Sequence, residues 1–556
     1  MATDGATAIA SLPDSRDELT QLRQQNDLLR AERQQLLEDK QYNARMIEQL
    51  QHQLQGLLKR LYGRSSEKID RNQMLLFETL LNQLAPPTPP ADEAAAPGET
   101  EPSQPQRKGH GRRKLPAHLE RKKIVHDLPE NEKPCAGCGQ TRHVIGQEVS
   151  EQLNYVPARL EVLQHVRLKY ACRPCETKAA EGGPQITTAE KPLSPIEKGL
   201  AAPGLLAYVI VSKYSDHLPL YRLEKILDRH GIQISRSTLG GWMAQCADVL
   251  RPLYDRMVQD VLASKVIHTD DTPVDVLDPE LPQARTGRFW AYLGDPDHAN
   301  TVFAYTPSRS RDGPMQFLQG WGKDRRVYLQ ADAFGGYDGI YAGQAGGSVI
   351  EVACWAHARR KFHEARTSEP ALSTQALAHI RLLYDVEKGA REQWEQQEEG
   401  AKWRPRSAIR LALRQEKAAP LLTRFKTWLE SQKAERGGSV LPKSPMGQAI
   451  TYVLNQWEAL CVYTTDGDLA IDNNASENAL RRVAVGRKNW LFCGADSGGH
   501  TAAVLFSLIA TCQRHKVEPF AYLSDVLQRI AATPLSQLVD LTPERWKPAP
   551  APSPVR

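Results

Sequence analysis

Three acidic residues are spaced so that separate secondary-structure elements could bring them together. Asp270 follows the apolar run VLASKVI at the end of a predicted strand or just within it, Asp332 ends the predicted strand RVYLQAD, and Glu477 lies in the first turn of a predicted helix. Carboxylates held at close range repel one another unless cations neutralise them. Mg²⁺ or Mn²⁺ would do so, and a two-metal site activates a nucleophile and stabilises the leaving oxygen. The predicted chemistry is phosphodiester hydrolysis followed by transesterification.

The same residues also allow structural interpretations. Acids at strand ends are common surface features, and Asn474 with Glu477 fits a capping box, in which Glu477 only accepts a backbone N–H. Asp270 and Asp271 are adjacent, so their side chains face opposite ways if the strand continues through them. One of the two is therefore expected to be structural.

The elements around the acids predict an α/β core in two parts. Residues 259–370 read as three strands, a helix, the strand that ends at Asp332, and a further strand and helix. Residues 371–447 are rich in Ala, Gln, Glu, Lys, Arg and Leu and predict a helical insertion. Residues 448–515 carry the helix of Glu477, and residues 516–556 form a C-terminal tail. The predicted phosphate-binding side chains on or beyond that helix are Arg481, Arg482, Arg487 and Lys488.

Residues 191–258 predict a helix-turn-helix. The segment LYRLEKILDR has helical apolar spacing, His230-Gly231 ends it, and Ser235 can cap a second helix. A helix, a Gly-containing turn and a capped helix outline a DNA-reading motif, although any two packed helices resemble it. The side chains expected to meet bases or phosphates are Arg236, Ser237 and Thr238.

Two CxxC pairs in residues 107–190 predict a structural zinc site. Two such pairs can close a tetrahedral thiolate site, and the alternating apolar and polar residues between them predict a β-hairpin of zinc-ribbon type. A thioredoxin-like redox motif is the alternative for a single CxxC, and a second pair argues against it. The four zinc ligands are Cys135, Cys138, Cys172 and Cys175.

A basic arm precedes these cysteines. Residues 107–123 contain eight Lys or Arg and one acid, Glu120. Such a strip suits phosphate contacts, which give affinity without sequence reading, but it could also be a merely solvated linker. The predicted DNA contacts here are Arg112, Arg113 and Lys114. Before the arm, residues 69–106 are rich in Pro, Ala and acids and are predicted to be a disordered linker.

Residues 1–68 are predicted to be a coiled-coil oligomerisation segment. With Leu19 at an a position, the heptad continues without a break to Leu61, and nearly every d position is Leu. Asn26 at an a position favours a two-stranded state. The alternative is one amphipathic helix packed onto its own domain.

Composition excludes several classes of protein. Lys plus Arg is 71 and Asp plus Glu is 66, a net charge of +5 that is too small to indicate nucleic-acid binding by itself. No apolar run is long enough for a transmembrane helix, and the acidic N-terminus does not fit a signal peptide. Nine cysteines are far too few for a disulfide scaffold. The expected location is cytoplasmic, in association with the nucleoid.

The sequence resembles the transposases of the insertion-sequence-66 family of bacterial mobile elements over nearly its whole length. The motifs that carry the resemblance are LNYVP at 153–157, SKYSDHLPLYR at 212–222, DDT at 270–272, QADAFGGYDG at 330–339, CWAHARRKF at 354–362 and DNNASENALRRVAVGRKNWLF at 472–492. The resemblance implies an RNase H-like core whose DDE triad falls on Asp270, Asp332 and Glu477. It also implies a zinc-binding domain and accessory proteins of the same element.

Two positions depart from the pattern of that family. The family usually has Glu after the first Asp, where this chain has Asp271, which keeps a carboxylate. It usually has Arg after the Glu of the triad, where this chain has Asn478, which removes one possible phosphate contact. The motif around His357 has no chemical role that the residues alone reveal, and packing or DNA contact is preferred over proton transfer.

Together these features predict a multidomain α+β protein with a coiled coil, a zinc ribbon, a helix-turn-helix and an RNase H-like catalytic core. Its predicted activity is that of a DDE transposase, which binds the terminal repeats of its element, cuts DNA and joins it to target DNA, as a homodimer or higher assembly. One alternative is a non-catalytic DNA-binding regulator derived from a transposase. Another is a nuclease that cuts DNA but does not join it.

Overall fold

The computed structural model describes residues 199–396, 405–433 and 439–548. It also describes short pieces at 27, 30, 33–36, 40, 160, 162–164, 169–171, 186–188, 193–197 and 437. The predicted linker, the basic arm, the four zinc cysteines and most of the predicted coiled coil lie outside the described residues. Among the helices that the structure describes, none has the length and apolar character needed to cross a bilayer.

A two-stranded antiparallel ribbon and three helices precede the main sheet. The ribbon strands are β1 (Lys169–Ala171) and β2 (Ile186–Thr188), and the helices are α1 (Pro203–Tyr214), α2 (Leu220–Asp228) and α3 (Arg236–Ala263). The chain turns after α2 at Gly231, whose φ of +77° favours glycine. Ser235 then caps α3 by accepting the N–H of Thr238 at 3.2 Å, as the sequence predicted.

A six-stranded mixed sheet forms the centre of the fold. Its strands are β3 (Val266–Val276), β4 (Arg285–Leu293), β5 (Thr301–Thr306), β6 (Val327–Gln330), β7 (Val349–Val352) and β8 (Phe492–Cys493). The order is β5-β4-β3-β6-β7, with β8 paired to the far end of β3. β4 and β5 run antiparallel to their neighbours, whereas β6 and β7 run parallel to β3. The architecture is therefore mixed α/β.

Helices cover the sheet, and one of them accepts hydrogen bonds from the backbone of an edge strand. Those that follow β5, β6 and β7 are α4 (Asp312–Phe317), α5 (Asp338–Tyr341) and α6 (Trp355–Ala365). Those of the C-terminal part are α12 (Asn474–Trp490), α13 (Asp496–Arg514) and α14 (Pro519–Arg529). Helix α13 packs on β5, where the hydroxyls of Ser507 and Thr511 accept the N–H groups of Phe303 and Thr301 at 2.8 and 3.0 Å. These buried hydroxyls satisfy backbone donors on the edge of the sheet.

Residues 371–447 are largely helical where they are described. The helices from here to the return of the core are α7 (Pro370–Glu395), α8 (Arg406–Leu413), α9 (Ala419–Gln432), α10 (Pro445–Asn455) and α11 (Trp457–Cys461). They form a hydrophobic core of their own with α6 and one face of β6 and β7. At its edge Arg414, fully buried, pairs with both oxygens of Glu387 at 2.6 and 2.9 Å. The insertion therefore packs against β6 and β7, and Asp332 lies just after β6.

Candidate active site

Asp270 and Asp332 lie on neighbouring parallel strands of the sheet. The β3–β6 register pairs His268 with Gln330. Counting two residues further along each chain brings Asp270 level with Asp332, just beyond the end of β6. Side chains in register on adjacent parallel strands face the same side of a sheet. The pairing therefore brings two acids that are 62 positions apart to one face.

Glu477 reaches this face because the start of α12 is attached to β3. Asn473, which is fully buried, donates from its amide to the carbonyl of Thr269 at 2.8 Å, and its Oδ1 lies 3.1 Å from Nδ1 of His268. The backbone N–H of Asn473 also donates to Sγ of Cys354 at 3.1 Å. These bonds fix the first turn of α12 beside the residues that immediately precede Asp270.

The electrostatics of the three acids reflect this proximity. Burial and the charges of Asp332, Asp271 and Glu477 raise the pKa of Asp270 to about 7, against the effect of the Asp271 N–H, which bonds to its Oδ1 at 2.8 Å. Burial also raises the pKa of Asp332, while His357 and Arg309 act in the opposite direction. Crowded carboxylates of this kind are stabilised in their charged forms by bound cations.

Two oxygens of the triad are buried without a hydrogen-bond partner. They are Oδ1 of Asp332 and Oε1 of Glu477. A buried carboxylate oxygen without a donor is costly, because nothing replaces the water it has lost. Hard divalent cations coordinate such oxygens, so the residues present fit the Mg²⁺ or Mn²⁺ ions that the sequence predicts.

The capping-box interpretation of Glu477 does not match the observed geometry. The residue at the N-cap of α12 is Asn473 rather than Asn474, and no side chain caps the helix there. Asn474 instead bonds through its backbone N–H and its side-chain amide to Asp472, at 3.2 and 2.8 Å. The carboxylate of Glu477 therefore has no part in closing the end of its helix.

Asp271 has a different role from its neighbour. Its carboxylate, 1% exposed, accepts from Arg288 at 2.8 Å and from two nitrogens of Arg309 at 3.1 and 2.8 Å. Both carboxylate oxygens are thus engaged by guanidinium groups. Asp271 is the structural member of the adjacent pair.

Two arginines and a histidine surround the triad, and burial lowers the pKa of the histidine, His357. Nε2 of His357 lies 3.7 Å from Oε1 of Glu477, and Arg360 lies 3.5 Å from its Oε2. Arg309 stacks on Phe334, 3.9 Å from the ring centroid, and lies 3.9 Å from Oδ2 of Asp332. Arg309 could not be predicted as a site residue from the sequence, because it follows β5 in a loop with no spacing signal.

The four predicted phosphate-binding residues of α12 occupy different environments. Arg481 and Lys488 are exposed, and Arg482 is half-buried with its pKa lowered by burial. Arg487 donates to Oγ1 of Thr272 at 3.0 Å and to the carbonyl of Pro273. Arg487 therefore holds α12 against β3, whereas Arg481 and Lys488 are free to face solvent.

The N-terminal end of α3 presents the predicted base-reading residues. Arg236, Ser237 and Thr238 are all exposed. The N–H of Arg236 donates to Glu224 of α2 at 3.3 Å, which ties the two helices together. A cavity of about 460 Å³, lined in part by Gln233, Thr238 and Trp242, opens beside this helix end.

Comparison with known proteins identifies the class of the chain. The model of the IS66 transposase family matches residues 198–501, which include all three acids and most of the predicted helix-turn-helix segment. Models for the zinc-finger binding domain of transposase IS66, for "Transposase C of IS166 homeodomain" and for the IS66 C-terminal element match residues 132–176, 49–124 and 507–543. The zinc-finger match contains all four predicted zinc cysteines.

Full-length relatives agree with these matches. The chain is 32% identical over 529 residues to the uncharacterized protein y4hP of Sinorhizobium fredii, covering 90% of this chain and 89% of the relative. It is 33% identical over 448 residues to the uncharacterized protein y4jD of the same organism, covering 78% and 81%. The chain belongs to the IS66 transposase family, which confirms the resemblance found in the sequence.

Proposed function

We propose that this protein is a transposase that binds the ends of its insertion sequence, cleaves DNA there and transfers the freed strands to target DNA. Family membership supports the transposase role. The observation that carries the catalytic part is the convergence of Asp270 on β3, Asp332 just beyond β6 and Glu477 on α12, with two of their oxygens buried and without a hydrogen-bond partner. The proposal includes the RNase H-like nature of the core, which the mixed order β5-β4-β3-β6-β7 supports.

In this proposal the three acids hold two divalent ions, Mg²⁺ or Mn²⁺. Such ions, when bound, supply a polarised nucleophile and stabilise the charge on the leaving oxygen. The protein contributes orientation: Asn473 fixes the start of α12, while His357 and Arg360 restrain the carboxylate of Glu477. Asp271, held by two arginines, keeps β3 in the register that presents Asp270.

DNA binding in this proposal uses several parts of the chain. The exposed N-terminus of α3, with Arg236, Ser237 and Thr238, reads the terminal repeats. The basic arm at 112–114 and the zinc domain of the four cysteines add contacts upstream, and Arg481 and Lys488 bind phosphates near the acids. Self-association through residues 1–68 would pair two subunits, one for each end of the element, with accessory proteins of the element as possible partners.

The test is a strand-transfer assay with purified protein and labelled element ends, with and without Mg²⁺. Asp332→Asn is expected to abolish cleavage and joining while leaving end binding within about twofold, because the change removes one charge and keeps the side-chain volume. Asp275→Asn, an exposed acid on the strand that carries Asp270, is the matched control and should retain activity.

The products of the assay separate the competing functions. Strand transfer retained in Asp332→Asn would reject the assignment of the triad. Nicks without joined product would indicate a nuclease, and binding without any Mg²⁺-dependent product would indicate a non-catalytic regulator.

A further inference from the structure

A second group of possible metal ligands adjoins the acidic triad. Sγ of Cys354, an imidazole nitrogen of His357 and a carboxylate oxygen of Glu477 all lie within 4.8 Å of one another. Cys354 directly precedes α6, His357 is in the first turn of α6, and Glu477 is in the first turn of α12. The starts of two helices thus point three ligands of different chemistry at one place.

The polar atoms of this group are unsatisfied by the protein. Oε1 of Glu477 and Nδ1 of His357 are both buried without a hydrogen-bond partner. Oε2 of Glu477 faces Arg360 at 3.5 Å, whereas Oε1 faces only the imidazole of His357, whose Nε2 lies 3.7 Å away. Buried polar atoms without hydrogen-bond partners on neighbouring side chains favour a ligand site more strongly than either would alone.

The sulfur atom is buried beside the other two ligand atoms. Cys354 is 1% exposed, and its Sγ accepts the backbone N–H of Asn473 at 3.1 Å. Burial raises the pKa of the thiol to about 11, while the N–H groups of Asn473, His357 and Ala356 act in the opposite direction. Hydrogen bonds from surrounding groups support ligands in this way at metal sites.

The ligands Cys354, His357 and Glu477 favour a different class of metal ion from the class that the three acids favour. Thiolate and imidazole favour zinc and similar transition-metal ions, whereas Mg²⁺ prefers oxygen. Bond lengths of about 2.0–2.3 Å to a tetrahedral zinc ion imply separations between ligand atoms of about 3.3–3.8 Å. Side-chain movements on the order of 1 Å would bring the three atoms to those separations, and a fourth position would remain open.

We propose that Cys354, His357 and Glu477 form a binding site for a divalent transition-metal ion of the zinc class, and that its occupation inhibits the enzyme by withdrawing Glu477 from the acidic triad. On binding, the Cys354 thiol loses its proton to solvent, so thiolate and carboxylate together balance the charge of the ion. The binding part of this proposal stands on the geometry alone. The inhibitory part rests on the proposed function, because it requires Glu477 to serve Mg²⁺-dependent catalysis.

The binding part is tested by metal analysis of the full chain after incubation with excess Zn²⁺ and removal of free ion. Cys354→Ser and His357→Gln should each hold one zinc equivalent fewer than the parent protein, whatever the four upstream cysteines bind. Cys461→Ser, another free cysteine of the described part of the chain, is the matched control and should keep the content of the parent.

Binding of Co²⁺ provides a second readout that does not depend on counting zinc equivalents. Co²⁺ bound to the parent should show more sulfur-to-metal absorption than Co²⁺ bound to Cys354→Ser at equal concentrations of folded protein. Since either variant could lose stability, thermal unfolding is measured for both. Equal zinc content and equal cobalt spectra in the parent and a folded variant would overturn the site.

The inhibitory part is tested by adding micromolar Zn²⁺ to strand transfer driven by millimolar Mg²⁺. Zinc should reduce the rate of the parent at least tenfold and that of Cys354→Ser less than twofold, each relative to its own rate without zinc. Equal inhibition of the parent and of Cys354→Ser would contradict the proposal that bound zinc withdraws Glu477 from the triad. A parent protein that binds the extra zinc but shows no Mg²⁺-dependent product would instead count against the proposed function and leave the binding site standing.

Discussion

The adjacent acids Asp270 and Asp271 show how strand geometry separates two identical side chains. One faces the other carboxylates, and burial and nearby charge raise its pKa to about 7. The other is held by Arg288 and Arg309. Alternation along β3 therefore divides the pair into one residue suited to bind metal and one suited to fix the strand.

Substitution of Asp271 should affect stability directly. Asp271→Asn leaves two guanidinium groups facing a neutral amide in a site where the carboxylate was 1% exposed. We expect the free energy of unfolding to fall by about 2 kcal/mol, because a buried ion pair loses one partner while both arginines keep some contact with water. Urea denaturation measures the change. Asp275→Asn on the same strand should change it by less than about 0.5 kcal/mol, and an equal loss in both variants would contradict the argument.

His379 should make stability depend on pH. It lies buried on α7, stacked on Phe425 with ring centroids 4.8 Å apart, and burial followed by the charge of Arg424 lowers its pKa from 6.5 to about 4. The unfolded chain therefore binds a proton between pH 6.5 and 4 that the folded chain does not. The contribution of His379 to stability is constant above pH 6.5 and falls as the pH drops through that window, by about 3 kcal/mol.

The measurement is the free energy of unfolding at several pH values. The parent should lose more stability than His379→Phe between pH 6.5 and 4, since phenylalanine keeps the aromatic stack and cannot be protonated. Identical slopes for the two proteins would show that protonation of His379 does not contribute.

At the scale of elements, the position of α12 decides where Glu477 lies. The attachment depends on Asn473, whose side chain bonds to β3 and whose backbone bonds to Cys354 before α6. Arg487 provides a second attachment further along the helix, at Thr272 and Pro273. Helix α12 is thus fixed to the same strand that carries Asp270.

Removing the first attachment should destabilise the fold and displace Glu477. Asn473→Ala deletes one buried and one partly buried hydrogen bond and leaves the carbonyl of Thr269 without this donor, so we expect a loss of about 2–3 kcal/mol in urea denaturation. Asn474→Ala, which changes the exposed neighbour, should cost less than about 1 kcal/mol. Similar losses from both would mean that the attachment does not depend on the Asn473 side chain.

At the scale of the whole molecule, the predicted coiled coil is the part that would join two subunits. Residues 33–36 are helical, and Leu36, at a predicted d position, is 63% exposed in the single chain. A leucine at d is stabilised by packing into a hole on a partner helix. Its exposure in one chain is what the dimer prediction requires.

A single charge at that position should weaken association. Leu36→Lys is expected to raise the dissociation constant of the dimer at least tenfold, because a charged side chain would be buried in the seam. Sedimentation equilibrium measures the change. Gln35→Lys, at an outer c position, is the matched control, and a parent protein that is monomeric at micromolar concentration would rule out the prediction.

The sequence by itself determined the family and the capped helix that begins after Ser235, and it predicted the three acids of the triad. These features could be predicted because local sequence patterns indicate them: a strand ending in Asp332, a turn at Gly231, and motifs of contiguous residues. The largely helical character of the insertion followed in the same way from composition. Each of these features depends on residues close together in the chain.

Only the tertiary structure decided which of Asp270 and Asp271 faces the triad, that Arg487 is used to hold α12 to β3, and that Arg309 joins the site. It also brought Cys354 and His357 to Glu477, more than 100 positions away. The register of β3 with β6 and the attachment of α12 through Asn473 create these contacts. Such contacts arise between distant segments, whose relative placement depends on packing of the whole core and leaves no periodic signal in either segment.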